Sequence, residues 1–401
     1  MRIATSTIFE NGLLGIQNDT VALNKTQLEL SSGKSVNEAA DNPVAAAQIV
    51  SINQAIGITN QYSSNITSAQ NLLNLQSSAL SSVTTLLQSI QSLSVQASDP
   101  SLGQSGRQAL VSQLKQQFSD LVGLANSGDG QGGYLFSGNK VNTVPYALNA
   151  SGSVTYQGDS GQRMAQVSSG QQIPTNDPGN AIFDNVRNGN GTFVVQSASG
   201  NSGSGVISTG SVTDYTDPNL LQSLTVQFLS PTTYNVVDHS GNIILANQNY
   251  VSGGTITAQG KSFSISGSPA GNDTFTVTPA TNQSIFDTVN QLVTQLNQYV
   301  STPAGEAQFN GQLALIQQNL SNGLNQISQQ QALVGSRIKE LTTQTSINGS
   351  LETQYQTALS QNQDVNFAAA ASALTQQQLT LQAAEQSFVK IQNLSLFNFL
   401  Q

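Results

Sequence analysis

Leu30-Ser31-Ser32-Gly33-Lys34-Ser35-Val36-Asn37-Glu38-Ala39-Ala40-Asp41-Asn42-Pro43 separates two helical runs. Gly33 suits the residue that ends a helix, because it enters the left-handed region without a Cβ clash. Asn42 suits an N-cap, and Pro43 suits the first helical position, where its missing N–H costs nothing. A helix therefore stops near Ser32 and another starts at Pro43.

Upstream, Phe9, Leu13, Ile16, Thr20, Leu23, Gln27 and Leu30 recur at alternating four- and three-residue steps, the seam of a helix that packs on another helix. Downstream, Ile49, Ile52, Ile56, Ile66, Leu73, Leu80 and Leu87 keep this register, with Leu72, Leu75, Leu86 and Leu93 widening the stripe. Residues 43–98 hold no Asp, Glu, Lys or Arg. As a single helix they would extend about 85 Å at 1.5 Å per residue. Asp99-Pro100 marks a turn, and Leu110, Leu114, Phe118, Leu121 and Leu124 mark a further helix.

From about residue 128 to 284 the texture changes. Gly and Pro concentrate here around short β-branched and aromatic runs such as Leu224-Thr225-Val226-Gln227-Phe228 and Thr274-Phe275-Thr276-Val277, which read as antiparallel hairpins. The tract Ser197–Gly205 reads as a flexible loop tip. Helical periodicity returns through Phe309, Leu313, Ile316, Leu320, Ile327, Val334, Ile338 and Leu341, then through Leu374, Leu381 and Phe388 at heptad spacing, flanked by Ile391, Leu394 and Phe397.

The expected fold is α+β: N- and C-terminal helices pair into a long coiled-coil-like stalk that carries an inserted β-rich middle domain. Closing a flexible loop of more than 300 residues costs roughly 5 kcal/mol. Burying two or three Leu side chains, at about 1.5–3 kcal/mol each, offsets it. The expected division is 1–41 as an assembly and export helix, 42–134 as N-terminal stalk and 135–284 as β-rich outer domain. Residues 285–363 follow as C-terminal stalk, and 364–401 as the C-terminal assembly helix.

Composition narrows the function. Only 8% of the 401 residues are charged, and roughly 43% are Ser, Thr, Asn or Gln; an ordinary domain is about 25% charged. A net charge of −9 argues against a nucleic-acid binder, which needs a basic face. With no Cys and one His, disulfides, thiolate nucleophiles and two-histidine metal sites are excluded. Met1–Phe9 lacks an apolar run of secretory length and no segment is long and apolar enough for a bilayer, so these features alone imply a cytoplasmic protein without membrane contact.

Apparent catalytic motifs dissolve on inspection. Asp238-His239-Ser240 reads as a hairpin turn rather than a triad. Gly128-Asp129-Gly130-Gln131-Gly132-Gly133 matches G-x-G-x-x-G, but a helix precedes it where a dinucleotide site needs a strand. Gly260-Lys261-Ser262 ends like a P-loop, yet Thr255 stands at the first glycine. Asp129, Asp159, Asp177 and Asp273 fit turn chemistry better than calcium ligation. No enzyme, cofactor or metal is expected. The terminal stripes, by contrast, have few flanking charges to select a single coiled-coil partner. They are read as assembly surfaces, formed by Phe9, Leu13, Ile16, Leu23, Leu30, Leu374, Leu381, Phe388, Ile391, Leu394 and Phe397.

The segment Leu30–Pro43 resembles the N-terminal signature of bacterial flagellins and their hook–filament junction relatives, carried by Leu30, Ser31, Ser32, Gly33, Asn37, Ala39, Asp41, Asn42 and Pro43. Four features resemble the junction proteins more than flagellin. These are the start Met1-Arg2-Ile3-Ala4-Thr5, Gly133–Gly138 followed by Val144-Pro145-Tyr146, the run Val154–Asp159, and the ending Leu394–Leu400. The resemblance covers about 1–170 and 310–401.

It implies a structural adaptor between hook and filament, exported through the flagellar type III channel and located outside the cell. That replaces the cytoplasmic expectation. Implied partners are copies of itself, the neighbouring hook-side junction protein, flagellin, and an export chaperone on the C-terminal helix; nucleic acid and membrane are not among them. Phe9, Leu13, Ile16 and Leu23 would pair with Leu374, Leu381, Phe388 and Ile391 in a short helical tube, ordering fully only there. A flagellin filament subunit, or a surface carbohydrate-binding module in the β-rich zone, are the alternatives.

Overall fold

A computed structural model describes residues 2–149 and 152–393, and side chains within 6–391. Its helices are α1 (Arg2–Ser32), α2 (Pro43–Ala97), α3 (Gln104–Ala125), α4 (Ile285–Asn297), α5 (Pro303–Gln363) and α6 (Phe367–Asn393). The chain forms two compact units, one of residues 1–64 with 343–401, the other of residues 65–342. Both boundaries fall inside long helices. Helical ends enclose a β-rich middle, the α+β arrangement expected from the sequence.

In the larger unit, Ile66, Leu73, Leu80 and Leu87 of α2 share one core with Leu110, Leu114 and Leu121 of α3, Val289 and Leu292 of α4, and Leu313, Ile316, Leu320, Ile327, Val334 and Leu341 of α5. The seven-residue steps hold Leu73, Leu80 and Leu87 on one face of α2. Leu72 and Leu86 flank that core, but Leu75, expected in the stripe, is exposed, because it falls on the opposite side of the helix. Helical periodicity after residue 285 is broken at residues 298–302, where Pro303 opens α5 as a new helix. Ser284 caps α4, its Oγ accepting from the Phe286 N–H at 3.0 Å.

Short strands β1 (Tyr146–Leu148), β2 (Val154–Tyr156), β3 (Met164–Ser168) and β4 (Gln171–Pro174) form two small hairpins, followed by a π-helical turn at Asn180–Asp184. Next come β5 (Val186–Arg187), β6 (Phe193–Ser197), β7 (Val206–Ile207), β8 (Ser211–Val212), β9 (Leu224–Ser230), β10 (Thr233–Asp238) and β11 (Ile243–Asn249). The last four are β12 (Thr255–Ala258), β13 (Lys261–Ser266), β14 (Thr274–Pro279) and β15 (Asn282–Gln283). A five-stranded sheet in the order β11-β10-β9-β14-β6 faces a second sheet, β12-β13-β7, with β8 also on β13. Alternation puts Leu224, Val226, Phe228, Phe275 and Val277 into the same core as Ile256, Phe263 and Ile265, so the two sheets make a sandwich.

The tract Ser197–Gly205 is not a free loop tip. Asn201 both donates to the Thr274 carbonyl and accepts its N–H, at 2.9 and 2.8 Å, while Asp273 accepts from Ser202 and Gly203. Small residues there allow close backbone approach rather than looseness: a Cβ on Gly203 would lie 2.3 Å from the Ala270 nitrogen. The suspected motifs are turns. Asp129 Oδ1 accepts from the Gln131 and Gly133 amides, and Asp238 Oδ1 from those of Ser240 and Asn242 around His239. Asp159 and Asp273 hold backbone amides likewise. Asp177 departs from that expectation: it is buried and forms a bidentate pair with Arg337, at 2.8 and 3.0 Å, with Gln76 and Gln162 donating to it at 2.8 Å each. Among the described residues no helix is long and apolar enough to cross a membrane.

Candidate assembly site

The smaller unit is organised by a corner and a seam. At the corner, Gly33 adopts φ +72°, as its position after α1 requires, and its carbonyl accepts from Val365 N–H at 3.0 Å. The Ser35 amide donates to Gln363 O at 2.7 Å, and the Lys34 and Asp364 backbones pair as an isolated antiparallel β-bridge, so the α1–α2 connection is stitched to the α5–α6 connection. Asp41 Oδ2 accepts from the Asn37 and Glu38 amides, both at 3.0 Å, while its Oδ1 lies 3.0 Å from Lys25 Nζ. The Lys25 hydrogen bond, with those two amides, holds the Asp41 carboxyl down at about 2; the same bond raises Lys25. Asn42 Oδ1 caps α2 by accepting from Ala45 N–H at 3.1 Å, with Pro43 at the first helical position. Leu30 is half-buried at the end of α1; Ser31 and Ser32 turn their hydroxyls back onto Leu28 and Glu29 carbonyls, and Ala39 is exposed.

From that corner α1 and α6 run side by side in opposite directions. Phe367 approaches Gly33 at one end, and Phe9 meets Phe388 at the other with ring centroids 4.8 Å apart. Gly12 makes room for Phe388: a Cβ there would sit 3.1 Å from the ring. Ile16, Leu23 and Leu30 of α1 are half-buried, as are Leu374, Leu381 and Phe388 of α6; Thr26 and Ala370 are the buried residues between them. Sequence reasoning placed this pairing inside an assembled tube, whereas here one chain forms it. Phe9, Leu13 and Ile391 keep about 40% of their surface exposed (41%, 43% and 40%). Leu394 and Phe397 lie outside the described residues.

A second row went unrecognised in the sequence. Leu14, Val21 and Leu28 repeat every seven residues on α1 and are 54%, 67% and 51% exposed. Ile8 on α1, and Leu379 and Val389 on α6, are exposed as well. The repeat was visible in the sequence beside the stronger row through Leu23. α1 is thus apolar on two sides, and α6 covers one.

The architecture is α+β, with helical ends around a β-rich middle. Residues 3–141 match the family described as the bacterial flagellin N-terminal helical region. The flagellar hook-associated protein 3 of Salmonella typhimurium is 35% identical over 188 residues, covering 45% of this chain and 59% of that protein. The chain thus matches about three-fifths of the length of that curated relative. The crystal structure of Legionella pneumophila flagellar hook associated protein-3 superposes with a TM-score of 0.75 at 27% identity, covering 78% of this chain and 98% of that one. Xanthomonas campestris FlgL gives 0.72 at 28% identity, over 77% and 99%. The fold is that of these hook-associated protein 3 structures.

Proposed function

We propose that this chain is a non-enzymatic structural subunit of the bacterial flagellum, acting at the junction of hook and filament. The observation that carries the reading is the uncovered row Leu14, Val21 and Leu28 on a helix whose other apolar side is already paired. Three large aliphatic side chains in line on water-exposed helix are a docking strip for further helices. Neighbouring copies supply them when the α1–α6 pairs pack around a tube. The names of the relatives, flagellar hook-associated protein 3, support the same role.

On this reading residues 1–41 and 364–401 are the assembly segments, 42–134 and 285–363 the stalk, and 135–284 the outward domain. Phe9, Leu13, Ile16, Leu23, Leu30, Leu374, Leu381, Phe388, Ile391, Leu394 and Phe397 form contacts within and between subunits. The hook-side junction protein and flagellin are the axial neighbours, and a chaperone covers the C-terminal helix before export from the cell. Gold-labelled antibody on intact flagella tests this. A short band between hook and filament is expected; label along the whole filament would make the chain a filament subunit, and unlabelled flagella would reject both.

A further inference from the structure

Arg107 stands in the first turn of α3, where a cation opposes the helix dipole, and it is 95% buried, with 5% of its surface exposed. Its guanidinium carbon lies 3.6 Å from the Tyr299 ring centroid and 5.0 Å from that of Phe309. One hydrogen bond is made, Nη1 to the Ala97 carbonyl at 3.3 Å, and Nε is buried without a partner. Buried cations are ordinarily paired, as Arg337 is with Asp177. Two carboxylates nearby are committed elsewhere: Asp99 to the Ser101 hydroxyl and amide at 2.7 and 2.8 Å, and Glu306 to the Tyr299 hydroxyl at 3.1 Å.

Beside this guanidinium the α2–α3 and α4–α5 connections enclose a hollow of about 460 Å³. Gly103 and Gln104 line it at the N-terminus of α3, which has Gly103 as N-cap and no side-chain cap. The amide end of α3 and the Arg107 side chain thus line the same hollow. Both favour an anion, and the planar fork of Arg suits a carboxylate. We infer that this hollow is a carboxylate-binding site, with Arg107 as its cation and the start of α3 as its amide cradle.

The carboxylate comes either from a small acid or from an acidic side chain of a second copy, and one experiment separates them. Full-length ¹⁵N-labelled protein is titrated with succinate while the Arg107 Nε–Hε signal and the amides of Gln104–Gly106 are followed. Saturable shifts at these groups, unmatched by equal chloride and about tenfold weaker in Arg107→Lys, are expected. If they respond instead to protein concentration without succinate, the second copy is the source. Signals unmoved in both series, or moved equally by chloride, overturn the site. The wild-type titration decides the matter even if the variant does not fold.

Discussion

Phe9 and Phe388, at opposite ends of the chain, meet with ring centroids 4.8 Å apart and planes inclined by 41°. Such a contact between half-exposed rings is worth about 0.5–1.5 kcal/mol beyond its buried area. It closes a seam whose side chains are mostly half-exposed, unlike the fully buried Leu73, Leu80 and Leu87 of α2. The free chain should therefore exchange its α1 and α6 amides far faster than those around Leu73–Leu87, and Phe388→Ala should accelerate the terminal exchange further. Hydrogen exchange read by mass spectrometry measures both. Equal protection at the ends and in α2 would contradict the view that the seam is completed only by neighbours.

Asp177 and Arg337 make a buried bidentate ion pair in the larger unit. Removing one partner leaves an uncompensated charge next to Gln76 and Gln162, so Arg337→Met should cost about 3–5 kcal/mol. Asp177→Leu with Arg337→Met should recover much of that loss. Urea unfolding of the two single variants and the double variant supplies the cycle. A double variant as unstable as the single ones would mean that shape, not charge, holds this contact.

Stability should also respond to pH through Asp184. Burial pushes its carboxyl up to about 6, against 3.8 for an ordinary aspartate, while the Tyr146 hydroxyl donating at 3.1 Å restrains the rise. A raised acid favours the protonated folded form, so its contribution is full below about pH 4 and is lost as pH climbs through about 6. Asp184→Asn should therefore gain on wild type as pH goes from 4 to 7. Tyr146→Phe, which removes the restraining bond, should shift the Asp184 midpoint higher. Denaturation midpoints across that range, with carboxyl ¹³C titration, test the sign.

Lys261 carries the opposite sign. It is fully buried on β13, makes one hydrogen bond from Nζ to the Asn219 carbonyl at 3.1 Å, and burial lowers its pKa. The folded chain then holds its proton less firmly than the unfolded one, so stability rises as pH increases toward deprotonation. Lys261→Met should abolish this alkaline gain and melt at or above the wild type at pH 7. A lower melting temperature would mean that the tether to Asn219 outweighs the buried charge.

Local repetition made much of this fold legible. The heptads through Leu73–Leu80–Leu87 and Leu374–Leu381–Phe388 announce helices because neighbours three and four residues apart share a face. Gly33, Asn42 and Pro43 announce the corner because their backbone preferences are intrinsic. The Asp177–Arg337 pair was not legible, since its partners come together only when α5 packs beside the strands, and Asp177-Pro178 looks locally like any turn. Arg107 was missed because a cation in a first helical turn has no local rationale; only Tyr299, from the α4–α5 connection, and Phe309 of α5 supply one. Ser197–Gly205 misled because small polar residues signal looseness unless something distant claims their hydrogen bonds, as Asp273 and Thr274 do.

The two apolar rows of α1 separate folding from assembly. Leu23 belongs to the seam with α6, so Leu23→Glu should loosen the pair in the free chain and block assembly together. Leu14, Val21 and Leu28 face away from the seam, and polar replacements at exposed sites ordinarily change stability by no more than about 0.5 kcal/mol. Leu14→Glu with Val21→Glu should therefore leave circular dichroism and melting of the isolated chain unchanged. The same pair of charges, repeated in every subunit, would be buried without partners wherever neighbours pack on this row. Cells carrying only the double variant should export the chain yet bear hooks without filaments, as seen by electron microscopy and by lost swimming. Normal filaments on those cells would remove α1's outer row from the assembly, and with it the observation on which the junction role rests.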